Sequence, residues 1–172
     1  MARALGGVKK YGADTPIPLA KTLEVCRLDN TLWTLRCTTL DSKTISVTYA
    51  CDCAERVLPV YEAKYPDDKR VRSCIEIPRK YLTGEASEED VERARTAAAT
   101  AAEAAEAAWA AAWAAVWAAA WAATAAEAAA AATTAWATAW AAAWAATAAG
   151  AATAAEAERE WQTQHLIELL NK

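Results

Sequence analysis

The sequence predicts an all-α fold: a single-domain helical bundle in which an N-terminal set of short helices precedes a long Ala/Trp-rich antiparallel helical hairpin. Three observations carry this expectation. From Ser87 to Lys172 there is one glycine, Gly150, and no proline, and the alanine that dominates there is the best helix former. In the first half, apolar residues recur at helical spacing between polar breaks. In the second half, two tryptophan series repeat one 4-4-3 spacing. The expected organisation is an irregular arm over residues 1–15, a short-helix region over 16–86 and an Ala/Trp-rich helical region over 87–172 that packs on it as one domain.

The first element is "TPIPLAKTLEVCRL". Thr15 or Pro16 opens it, and Leu19, Leu23 and Cys26 share one face. Asp29 reads as an N-cap for "NTLWTLRCTTL". Asp41-Ser42 marks the next break. "KTISVTYACDCAERVLPVYEAKY" begins with β-branched residues, which suit a strand. Its apolar set Ile45, Tyr49, Cys53, Val57 and Val60 is spaced 4-4-4-3, which favours helix, with Pro59 kinking or ending it. "YPDDKR" is a turn, and Asp67 or Asp68 can cap the next helix. "KRVRSCIEIPRKYLTG" predicts that helix, with Val71, Cys74, Ile75 and Tyr81 inward and its last turns disturbed by Pro78. Gly84 suits the residue just past its end. Ser87 and Asp90 form a capping box for the helix after it.

A single rod from Ser87 onward would reach about 130 Å, so the tail must fold back. The expected breaks are Thr133-Thr134 and the stretch around Gly150, with a weaker one near Thr96–Thr100. Trp113, Trp117, Trp121 and Thr124 are spaced 4-4-3, and Trp136, Trp140, Trp144 and Thr147 repeat the pattern. Trp109 extends the first set by one turn. The sets are offset by 23 residues, which on one continuous helix would place them about 140° apart. A reversal between them turns both inward. Trp109, Trp113, Trp117, Trp121, Trp136, Trp140 and Trp144 are therefore expected as structural core, each indole filling the groove over a facing alanine.

Rival readings of the repeat are weaker. Residues 107–126 and 128–155 carry no charged side chain, which meets the length test for a membrane span. Alanine contributes little transfer energy, however, and membrane tryptophans gather at the interfaces rather than on every turn. An aromatic ladder for single-stranded nucleic acid needs interleaved cations, and residues 96–158 have none. An ice-binding face would need threonines on one repeat throughout. A seam that docks a partner helix or a second copy stays open as the alternative, an assembly protein.

Charge points the same way. The net charge is −4; residues 1–96 hold 16 Lys/Arg against 15 Asp/Glu, and 97–172 hold 2 against 7. Such a chain lacks the basic stripe that nucleic-acid binding requires. Five cysteines without regular spacing, Cys26, Cys37, Cys51, Cys53 and Cys74, predict small, buried, reduced apolar residues in a cytoplasmic protein rather than disulfides or a metal site. The N-terminus lacks the apolar stretch of a signal peptide. The one histidine, His165, shares a helix face with Trp161 and Leu169. No catalytic constellation, metal site or cofactor motif is present. The densest charge cluster, Asp52, Glu55, Arg56, Arg70, Arg72, Glu76 and Arg79, is the candidate binding surface for a protein partner, with Arg72–Glu76 as one i, i+4 pair.

A family resemblance rests on "CDCAERVLPVYEAKYPDDKRVRSCIEIPRKYLTGEAS" with an alanine-rich helical tail after it. The matching elements are Cys53-Ala54-Glu55-Arg56-Val57-Leu58-Pro59, Tyr61-Glu62, Pro66, Asp68, Arg70, Arg72, Ile75-Glu76, Arg79 and Gly84. "LDNTLWTLRC" adds a Leu-Asp-x-x-Leu-Trp opening helix. The chain resembles the putative immunity proteins of actinobacterial and phage type. It departs from them at Val71, where proline is usual, at Pro78, and in a tail without their histidines. The resemblance implies an all-helical binder, not an enzyme, that neutralises a toxin or host effector by direct contact. It implies a protein partner; separately, the Trp/Ala seam leaves a second copy as a candidate, and charge and composition point to neither nucleic acid nor membrane.

Overall fold

A computed structural model describes residues 7, 12, 15–106, 140–142 and 152–171. Among them every regular element is helical and none is a strand: α1 (Leu19–Thr34), a 3-10 turn (Leu35–Cys37), α2 (Ser42–Glu62), α3 (Arg70–Leu82), α4 (Glu88–Glu106) and α5 (Ala152–Leu170). The fold is all-α, as the apolar spacing predicts. No helix among the described residues is long and apolar enough to cross a membrane.

The centre is α2. It packs against α3 and α5; α4 lies along α3, and α5 also touches α1. Its burial is wider than one stripe. Tyr49, Cys53 and Val57 are inside as expected, and so are Val47, Ala50, Cys51, Ala54, Leu58 and Tyr61. Ile45 packs at the margin of this core. The β-branched opening of α2 is helical because Asp41 caps it, accepting the Thr44 N–H at 3.1 Å. Pro59 neither ends nor visibly breaks the helix, which runs on to Glu62. Val57, Leu58 and Tyr61 around it are buried, whereas Pro59 and Glu55 face solvent. Core packing therefore holds the turn, and the Glu55 carbonyl that a proline leaves without a donor lies on the wet side.

The break expected before Asp29 falls two residues earlier. Arg27 has φ 64° and ψ 176° between two helical halves of α1, a backbone region that non-glycine residues rarely enter. Leu23 and Leu28 are buried on either side of it. In α3, Val71, Cys74, Ile75 and Pro78 are buried. Tyr81 lies at the margin, where it accepts a hydrogen bond from the Lys43 ammonium at 3.2 Å. The helix passes through Pro78 and closes on Gly84, φ 78°. There Gly84 N–H donates to Tyr81 and Glu85 N–H to Lys80, at 3.1 and 2.8 Å, the paired bonds of a Schellman end.

The capping box forms as expected: Asp90 N–H donates to Ser87 Oγ and Ser87 N–H donates to Asp90 Oδ2, at 3.2 and 2.9 Å. From there α4 is unbroken through residues 96–100, where a weak break is expected. The Thr100 hydroxyl donates back to the Thr96 carbonyl at 3.1 Å, which accommodates threonine without ending the helix. Val91, Ala94, Ala98 and Ala101 are buried, a small-residue stripe that lets α4 lie close to α3.

The breaks at Thr133-Thr134 and Gly150 lie outside the described residues, as do Trp109, Trp113, Trp117, Trp121, Trp136 and Trp144. Trp140 is described, and it is not core. It is 53 % exposed while Ala141 and Ala142 beside it are buried, so the small residues turn inward here and the indole outward. The Arg159 guanidinium sits 5.6 Å from its ring centroid. Cys51, Cys53 and Cys74 are buried, but Cys37 is exposed and Cys26 half-buried, so the expectation of burial fails for those two.

Candidate functional site

Three helices bring polar residues together. Positions 52, 55 and 56 of α2 face both α3 and α5. Arg79 comes from the last turn of α3. Glu158, Trp161, His165 and Glu168 come from α5, spaced 3-4-3 on one helical face.

Arg79 is the hinge between α2 and α3. Its Nη2 donates to Asp52 Oδ1 at 2.5 Å and to Glu55 Oε2 at 2.9 Å. Burial works against the guanidinium charge, but the hydrogen bond and charge of Asp52 outweigh it and hold the Arg79 pKa above the ordinary arginine value. The other Asp52 oxygen, Oδ2, lies 2.5 Å from His165 Nε2. His165 Nδ1 is 3.7 Å from Glu168 Oε2. The imidazole is also stacked on Trp161, centroids 4.7 Å apart and planes 11° apart, and it parallels the Tyr49 ring at 6.2 Å. Asp52 thus joins α2, α3 and α5 through one carboxylate. Glu55 and Glu168, each 59 % exposed, flank this joint.

A second network lies toward α1. Arg56 Nε donates to Glu158 Oε2 at 2.8 Å, and its guanidinium covers Trp161 at 4.1 Å. Glu158 Oε1 accepts from Gln162 Nε2 at 3.2 Å. Arg159 donates to Gln162 Oε1 at 3.2 Å and to Asp29 on α1. The Asp29 carboxylate, expected as a cap, therefore ties α1 to α5.

Of the seven candidate residues, Asp52, Glu55 and Arg79 meet, and Arg56 stands beside them. Arg72 pairs with Glu62, at 2.8 and 2.6 Å, rather than with Glu76, because the end of α2 lies across from it. The Arg72 hydrogen bond lowers the Glu62 pKa. Arg70 is held by Asp68 at the opposite end of α3, where Asp68 also accepts the Tyr61 hydroxyl at 2.7 Å. Glu76 is exposed on α3.

The sequence alone does not bring His165, Glu158, Arg159 and Trp161 into the cluster. The 3-4-3 spacing of the α5 polar face is the available signal, but nothing local says that this face meets α2.

Chemically the joint is a set of paired, partly buried charged side chains. The nearby thiols are poor nucleophiles: burial pushes Cys51 up to about 12 and raises Cys53 as well. Among the described residues no three His, Cys, Asp or Glu side chains are placed to hold a metal ion.

Fold and site together define an all-helical protein whose polar residues are organised into an ion-paired face across α2, α3 and α5. Residues 36–169 match the family described as Imm-5 like putative immunity protein. That stretch covers most of the chain, from the 3-10 turn to the end of α5, and the chain belongs to this family. No curated protein and no solved structure matches it.

Proposed function

We propose that this chain is a cytoplasmic immunity or counter-defence protein that neutralises a toxin or host effector by binding it directly. The family supports an immunity role and a protein partner. The observation that carries the direct-binding reading is the joint around Arg79. Asp52, His165 and Arg79 fix one another, and Glu55 and Glu168 project beside them. A face whose charges are held before the partner arrives loses little side-chain entropy on binding, and its pattern of signs selects the partner.

The test is capture and then neutralisation. The tagged chain is purified from its native host and its stoichiometric partner identified. That partner is then expressed with and without the chain. Growth arrest by the partner alone, relieved by the chain, is the expected result. A partner whose expression is harmless, or an arrest the chain does not relieve, overturns the reading.

A further inference from the structure

We propose that α5 is a salt-sensitive strap: a helix that undocks from α1 and α2 as a unit while α2, α3 and α4 stay packed. The buried stripes of the helices differ in kind. In α4 the stripe is Val91, Ala94, Ala98 and Ala101, and in α3 it is Val71, Cys74, Ile75 and Pro78; both are apolar, counting the thiol as a small hydrophobe. In α5 the residues buried among those described are Glu158, Gln162 and Leu166, four apart, and two of the three are polar. Trp161, Ile167, Leu169 and Leu170 lie only partly buried against the core. Apolar burial supplies most of the free energy that packs a helix onto its neighbours, so α5 draws less from this source than α3 or α4.

Polar contacts hold α5 instead. Glu158 to Arg56, Arg159 to Asp29 and His165 to Asp52 tie it to α2 and α1. Arg56 and Asp29 are 41 % and 44 % exposed, so dissolved salt screens both pairs. Enclosing the Glu158 carboxylate costs desolvation that its pairing offsets only in part. The seat beneath α5 is imperfect as well. Tyr49 of α2 is fully buried, its ring parallel to His165, with the charges of Glu158 and Arg159 acting on it. Among the described residues its hydroxyl has no nitrogen or oxygen partner, only the weak one offered by the Cys53 thiol. Docked, α5 keeps this hydroxyl from water; undocking hydrates it, so the closed state carries a cost that the open state lacks. A helix held in this way opens at a free energy below that of global unfolding. Because α5 carries His165 and Glu168, the joint around Asp52 exists only while the strap is closed. The proposal does not depend on the immunity reading.

Hydrogen exchange of the full chain, followed peptide by peptide by mass spectrometry at low salt and at about 1 M sodium chloride, tests this. At low salt the amides of residues 158–170 are expected to exchange faster than those of α3 and α4. At high salt they are expected to exchange at least about tenfold faster again, while α3 and α4 hold their rates. Tyr49→Phe keeps the ring and removes the unpartnered hydroxyl, and is expected to slow α5 exchange at least about fivefold. Exchange of α5 in step with α4 at both salt concentrations overturns the proposal. So does faster α5 exchange that salt leaves unchanged, or that Tyr49→Phe does not slow.

Discussion

Asp52 and His165, 113 positions apart, meet with Oδ2 2.5 Å from Nε2, and the same carboxylate holds Arg79 through its other oxygen. One α2 side chain therefore fixes both the α3 and the α5 partner. Asp52→Ala is expected to cost about 2 kcal/mol in urea unfolding, the range for hydrogen bonds to charged groups. Combined with His165→Ala the losses are expected to be non-additive by at least about 0.5 kcal/mol. Strict additivity would mean that the two residues act independently.

Arg56 and Glu158 form a lopsided pair: the arginine side chain is 41 % exposed and the glutamate 5 %. Removing Glu158 leaves a guanidinium that water can reach. Removing Arg56 leaves a carboxylate enclosed without its cation. Arg56→Ala should therefore destabilise by about 2–3 kcal/mol and Glu158→Gln by about 1 kcal/mol. The reverse order in denaturant melts would contradict this geometry.

Arg27 sits at φ 64° and ψ 176°, where glycine is at ease and other residues are strained by about 1–3 kcal/mol. Arg27→Gly is expected to stabilise the protein by about 1 kcal/mol, because relief of strain exceeds the extra freedom that glycine gives the unfolded chain. A loss of stability in the same melts would show that the break is not strained.

Asp68 makes an acid-sensitive contact. Hydrogen bonds from Arg70, opposed by burial and joined by the bond from Tyr61, hold its carboxyl well below the usual carboxylate range. A carboxylate depressed in the folded state stabilises it above the unfolded pKa and loses that contribution as pH falls through the folded one. Stability is therefore expected to decline below about pH 4, and Asp68→Asn to flatten that decline. An equal slope in the variant would assign the acid sensitivity to other carboxylates.

The thiols differ in access. Cys37 is exposed, Cys26 half-buried, and Cys51, Cys53 and Cys74 buried. Under native conditions a thiol reagent is expected to label Cys37 first and the three buried cysteines only on unfolding. Rapid native labelling of Cys51 would contradict the packing of α2.

Local chemistry is legible in the sequence. The Ser87–Asp90 capping box, the Gly84 helix end and the helix over "KTISVTYACDC" depend on residues within a few positions of one another. Proline misleads at position 59 because its effect depends on whether core packing holds the next turn. Spacing assigns Arg72 to Glu76, four residues away, but the arginine belongs to Glu62 across the turn. The Asp52–His165 joint is invisible in the sequence because helix spacing tells which residues share a face, not which face of another helix it meets. Trp140 shows the same limit: the 4-4-3 series defines a stripe but not its direction, and here the alanines take the interior.

The most direct test of a preorganised binding face is a titration of the captured partner with wild-type protein, Arg79→Glu and Arg72→Glu. Arg79→Glu places a third carboxylate against Asp52 and Glu55, whereas Arg72→Glu breaks only the separate pair with Glu62. With both variants folded, the predicted result is at least about a hundredfold loss of affinity for Arg79→Glu and a much smaller loss for Arg72→Glu. Equal affinity of wild type and Arg79→Glu would contradict it and remove the α2–α3–α5 joint from the binding surface.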